Sequence, residues 1–138
     1  MTRYIAFMVV FAILSVPTLA GAHGEAKPGP HQGYVRMPGG FHTELVPDGA
    51  RSVRVFLIDI EFKNPVTKDS TVLASLTNDG KAAVNATCTI KKDFFQCGFP
   101  KDTDLKSGTI VLTTTRSGVQ AGLAVYPLPL SYAGMGHM

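Results

Sequence analysis

Beyond residue 46 the chain alternates apolar and polar positions with a period of two, in short runs rich in Val, Ile, Thr and Phe separated by turn residues. Period two is the repeat of a strand, whose successive side chains point to opposite faces, so the pattern predicts a β-sandwich or barrel rather than helices. In the longest run, 53–62, one face carries Phe56, Ile58, Ile60 and Phe62, while the other begins with Val53, Val55 and Leu57 and ends in Asp59 and Glu61. It reads as a central strand wetted at one end and broken by Asn64-Pro65. Further strands are predicted over 70–77, 82–91, 109–115 and 119–126. Asn78-Asp79-Gly80 supplies a turn whose Asp-Gly tolerates positive φ, and Arg116-Ser117-Gly118 joins the last two strands. The expected fold is an all-β, immunoglobulin-like sandwich of seven or eight strands.

The front of the chain follows different rules. Arg3 is the only charge before an apolar run over 4–16, which leads through Pro17 and Thr18 to the small residues Ala20, Gly21 and Ala22. A basic start, a short apolar stretch and an A-x-A exit predict a signal peptide over 1–22, since a spanning helix needs about 20 apolar residues without such an exit. No cysteine follows to carry a lipid, so after cleavage the protein is expected free of the membrane, in the periplasm or secreted. Removing 22 of 138 residues leaves 116, the size of one domain. The organisation read from this is a flexible arm over 23–33, a sandwich over 34–130 and a flexible tail over 131–138. The whole chain carries a formal charge of +3. Its basic residues are scattered, which speaks against nucleic acid as a partner. No Gly-x-Ser-x-Gly elbow points to a hydrolase.

Cys88 and Cys97 are the only cysteines. Export to an oxidising compartment favours a disulfide over a thiolate metal site. If Lys92-Asp93 forms a two-residue turn, residue 91 faces 94 and 88 faces 97 at a non-hydrogen-bonded pair, where Cα atoms lie about 4.5 Å apart. A longer loop with another register remains open, because Lys-Asp is not a favoured hairpin turn.

The candidate chemistry lies between residues 23 and 46, which hold three of the four histidines. Cleavage after Ala22 makes His23 the N-terminal residue, whose amine and imidazole chelate one ion in a six-membered ring. That pair suits Cu(II), with zinc as the alternative. His31 sits in Gly29-Pro30-His31-Gln32-Gly33, a pre-bent turn. Alternation in Phe41-His42-Thr43-Glu44-Leu45 places His42 and Glu44 on one face about 7 Å apart, where Glu44 either ligates or orients the ring, or where the two form a solvated pair. Met37 lies nearby in sequence. At the other end Met135, His137 and Met138 form a second soft cluster, and thioethers favour Cu(I).

Gly29-Pro30-His31-Gln32-Gly33 followed by His42-Thr43-Glu44-Leu45-Val46 resembles a G-P-[H/N]-G-G … H-x-E-L/V segment of periplasmic adaptor subunits of heavy-metal efflux systems and of small exported metal-resistance proteins, with Gln32 where that pattern has glycine. The long coiled-coil hairpin of an adaptor is missing. An N-terminal histidine on a small exported sandwich is also similar to copper carriers of the CopC type, a resemblance that implies a cupredoxin-like or CopC-like sandwich and amine-plus-imidazole ligation by His23. It further implies an acidic ligand and a late histidine, a place His137 fills by position.

The expected function is a periplasmic copper-binding protein for buffering, resistance or transfer. It would perform no catalysis, and its partner would be the metal ion together with a periplasmic efflux or copper-handling protein. Two alternatives stand beside this. One is a histidine-brace copper oxidase, for which 116 residues leave little substrate surface. The other is a metal-free sandwich that binds a protein through Phe94, Phe95 and Phe99, two of which are expected to fill the core instead.

Overall fold

The structure, a computed structural model, describes residues 25–132. His23 and the cluster Met135, His137 and Met138 lie outside the described residues. Nine strands follow one another: β1 Tyr34–Arg36, β2 His42–Pro47, β3 Ser52–Ile58, β4 Thr71–Thr77, β5 Val84–Asn85, β6 Thr87–Ile90, β7 Phe95–Gly98, β8 Thr109–Arg116 and β9 Val119–Pro127. They form two antiparallel sheets, ordered β1-β2-β3-β7-β6 and β5-β4-β8-β9. The chain is therefore an all-β sandwich. Its core fills the space between the sheets with Leu45, Val53, Val55, Leu57, Phe95 and Cys97 from the first and Val72, Ala74, Leu76, Ile110, Leu112 and Ala124 from the second. Phe95 and Phe99 belong to this core, whereas Phe94 is half-buried beside Phe56.

Two of the nine strands come from one predicted run. The stretch expected as a single strand over 82–91 divides at Ala86, whose N–H donates to Ala74 O at 2.9 Å, so that β5 pairs in one sheet and β6 in the other. The hairpin after β6 has the expected register. Cys88 faces Cys97 with Cα atoms 4.0 Å apart, and the two form a disulfide. The β8–β9 turn is a two-residue type I′ connection, with φ of 47° at Ser117 and 80° at Gly118 matching the twist of the strands it joins.

The run 53–62 ends earlier than its alternation predicts. β3 stops at Ile58, and Asp59 gathers the chain into a tight turn: its carboxylate accepts the N–H groups of Glu61 and Lys63 at 2.9 Å each and the Asn64 amide at 2.9 Å. Ile60 consequently stands 58 % exposed, and Phe62, at φ 63°, folds back over the sheet. The three donors hold the Asp59 carboxyl below the usual carboxylate range, the Lys63 N–H contributing most and the Asn64 amide next.

One polar link crosses the core. Tyr126 on β9 donates to the Thr43 carbonyl at 3.0 Å and meets the Thr43 hydroxyl at 2.7 Å. Burial pushes its phenol above the ordinary tyrosine range, so it remains a neutral donor.

Candidate functional site

β2 presents Thr43 and Leu45 to the core, so its period of two turns His42 and Glu44 to the outer face of the first sheet. They share a face, as the alternation predicts. A solvated pair is not what forms there. Glu44 is fully buried and His42 is only 2 % exposed, because residues 25–33 and the turn at 59–63 lie over this face as a third layer. Where the sequence reading has a flexible arm leading up to the domain, the described part of that arm is folded onto it.

Glu44 is the seat of the arm. Its Oε2 accepts the backbone N–H groups of His31 and Gly33 at 2.9 Å each, and its Oε1 lies 2.7 Å from Nδ1 of the His31 ring. A buried carboxylate with three donors is satisfied; with none it would be excluded from the interior. Gly29 and Gly33 make the approach possible: a Cβ on the first would collide with the Glu44 carboxylate, and one on the second would sit 2.7 Å from the Leu45 carbonyl. Between them the turn is tied by Gly29 N–H to Gly33 O and Gln32 N–H to Gly29 O, both 2.9 Å. Gln32, where the efflux-adaptor pattern has glycine, adopts φ 62°, the left-handed conformation that glycine enters without strain.

The His31 ring lies flat on Phe56, with centroids 3.6 Å apart and planes 7° from parallel. Carboxylate and stacking together fix its tautomer and its direction. Nδ1 faces the Glu44 carboxylate, and Nε2 takes no part in that pairing, on a side chain 32 % exposed. This is how proteins commonly orient a metal-ligating imidazole. His42 repeats the pattern in a closed setting: Nδ1 donates to Asp59 O at 3.0 Å, the ring stacks on Phe62 at 4.2 Å, and Nε2 is buried without a hydrogen-bond partner among the described residues.

His31 and Glu44 are thus brought together, and His42 lies on the same face with its own partner. Among the described residues no three His, Cys, Asp or Glu side chains converge as a metal-binding group. Met37 follows β1 at 38 % exposure, and its N–H donates to the Glu25 carboxylate at 2.6 Å, which fixes the start of the described chain there. The other end returns to the same strand. Tyr132 stacks on Tyr34 at 4.9 Å, and Arg36 donates to Ser131 O at 3.2 Å.

Sequence reasoning overlooked Phe56, Asp59 and Phe62 as members of this site. The alternation places Phe56 on one face of a central strand without assigning that face outward, and it carries no sign that the face has a cover of its own. Asp59 carried a local signal, an Asp followed by Asn64-Pro65, the composition of a turn.

An open pocket of about 780 Å³ lies elsewhere, between the loops around Ala50 and Asp104 and residues 128–130, lined by Val53, Ile110 and Leu105, with no histidine in it. No protein-family model matches the chain, and comparison with curated proteins and with solved structures yields no match.

Proposed function

We propose that the chain is an exported copper-binding protein that buffers the ion or hands it on, and that it performs no bond chemistry. The observation that carries this reading is the His31 ring, which a fully buried carboxylate holds at Nδ1, leaving Nε2 outside that pairing. An imidazole kept only for packing has no need of a buried anion to orient it, and burying that anion is costly. The described residues supply fewer than three converging ligands. The reading therefore draws the others from the chain's two ends, the amine and imidazole of His23 for Cu(II) and the thioethers of Met37, Met135 and Met138 with His137 for Cu(I). Both described ends meet β1, Glu25 at Met37 and Tyr132 at Tyr34, which supports a shared site. His42 ligates in this reading only after Phe62 swings aside. The partner is a periplasmic copper-handling or efflux protein, and the fold is of the CopC-like or cupredoxin-like kind.

The test is Cu(II) titration of protein whose first residue is His23, beside a form extended by one alanine and beside His31→Ala. The extension leaves every side chain in place but moves the amine out of the chelate ring. Loss of a nitrogen ligand lowers affinity at least as much as the roughly 10- to 100-fold known for changes to a ligand's supporting residues. Binding weakens in acid, where protons compete with the metal for imidazole nitrogen. Equal binding by all three forms defeats the proposal, and preference for Zn(II) over both copper ions reassigns the metal.

A further inference from the structure

At one end of the sandwich β2 and β9 finish and β3 and β8 begin, and an open cleft of about 780 Å³ lies among them. Its floor is the core itself: Val53 and Ile110 line it while being only 2 % and 1 % exposed. Tyr34, Leu105, Leu128 and Leu130, all packed against that core, form the walls. The opposite end is closed, since Arg116 of the second sheet donates to Leu57 O at 3.3 Å and Asn64 O at 2.7 Å. Size and apolar lining are those of a small-molecule site.

The polar groups at the mouth choose the other end of that molecule. The hydroxyls of Ser52 and Thr103 already donate, to Cys97 O at 3.3 Å and Pro100 O at 2.6 Å, and Pro47 and Pro129 have no N–H to offer. The Tyr34 phenol serves either role. Acceptors are in surplus: the Asp102 carboxylate takes no hydrogen bond among the described residues, and Asp104 commits only Oδ1, to the Lys106 N–H at 2.8 Å. Against these two carboxylates the lining sets one ammonium, that of Lys106. We propose that the cleft binds an amphiphilic amine, its alkyl or aryl body against Val53 and Ile110 and its ammonium donating to Asp102 and Asp104. No histidine or methionine lines the cleft, so this site is separate from the copper site proposed above.

Titration of metal-free protein with butylamine, hexylamine and octylamine, followed by amide NMR shifts, tests both halves of the proposal. Each added methylene tightens binding about fourfold, the contribution of one buried CH₂, with the shifts gathered around Ala50, Leu105 and Leu130. Octanoate, with an equally apolar tail and the opposite head, binds roughly fivefold more weakly, the scale of a solvent-exposed ion pair. Asp102→Asn, which keeps a residue at home in the left-handed backbone of that position at φ 69°, narrows this difference. Ala50→Trp fills the mouth from an exposed position and abolishes binding; if it fails to fold, the comparison of heads and Asp102→Asn decide. Leu123→Ala, on the bare outer face of β9, binds like the parent. Affinity that does not grow with chain length, shifts gathered on that outer face instead, or octanoate binding as tightly as octylamine overturns the proposal.

Discussion

The two outer faces of this sandwich have opposite chemistry for their exposure. The first sheet turns a histidine and a glutamate outward and buries both; the second turns leucines and valines outward and leaves them bare. Polarity alone would assign these faces the other way round. The difference lies in whether a cover exists with the right donors. Glu44 is tolerated inside because His31 and Gly33 bring three donors to it, and the arm is held because Glu44 is there to accept them. Nothing on β4, β8 or β9 offers such an anchor, so no segment among the described residues is drawn across them.

Removing that anchor is the strongest way to break the contrast. Glu44→Ala leaves two buried N–H groups and the His31 ring without their acceptor and opens a cavity beneath the arm, at a cost of about 3–5 kcal/mol. Leu73→Ala, an equally drastic truncation on the bare face, changes stability by about 0.5 kcal/mol or less. Urea denaturation measures both. Comparable losses would show that the arm contributes nothing to stability and that the two faces differ only in appearance.

The disulfide tests whether the contrast is local. Cys88 and Cys97 staple β6 to β7 on the far side of the first sheet from β1. Closing a loop of this length in the unfolded chain stabilises by about 2.5 kcal/mol. Replacing both cysteines by alanine should lower stability by about that much and leave the copper binding proposed for the arm unchanged. Mass spectrometry of the unreduced parent should find two hydrogens fewer than the free dithiol. A double variant that loses the His31–Glu44 pairing would tie the arm to the far edge of the sheet and end the local account.

How far the sequence anticipates this structure depends on where each cause lies. Strands β2, β4, β8 and β9, the position of the β8–β9 turn and, given a two-residue turn at Lys92-Asp93, the 88–97 register follow from neighbours within a few residues, and period two with turn chemistry captures them. The division at Ala86 leaves no trace in the pattern, since a strand that changes sheets keeps its alternation. Ile60 and Phe62 prolong the apolar face of β3 in the sequence, so alternation alone carries the strand to Phe62, whereas the Asp59 carboxylate reverses the chain after Ile58. The shared face of His42 and Glu44 was legible. Its burial was not, because the covering residues His31 and Phe62 are separated in sequence from the groups they cover.

Acid offers a gentler probe of the covered face. Asp59 holds the turn that presses Phe62 on His42, and its folded carboxyl titrates below its ordinary value of 3.8. A group depressed in the folded state stabilises it fully above its unfolded pKa and loses that contribution as pH falls through the folded value. Amide hydrogen exchange at Glu61 and Lys63 should therefore be slow above about pH 4, relative to the intrinsic rate, and lose protection below it. In Asp59→Ala the protection should be low at every pH. Protection that survives both acid and the substitution would show the turn to be held by its backbone alone.

The smallest effect separates two demands made within one turn. Gly29 and Gly33 are required by space, since a side chain on either runs into Glu44 or Leu45, and Gly33→Ala should loosen the arm much as Glu44→Ala does. Position 32 has the opposite condition: an exposed residue whose backbone sits at φ 62° while a glutamine occupies it. A left-handed conformation costs a side-chain-bearing residue about 1–2 kcal/mol, and glycine gives back about 0.5–1 kcal/mol of that in extra freedom of the unfolded chain. Gln32→Gly should therefore stabilise by somewhere between zero and about 1.5 kcal/mol, with His31 still on Glu44. A clear loss of stability would mean that the glutamine side chain itself holds the turn, making Gln32 part of the anchor.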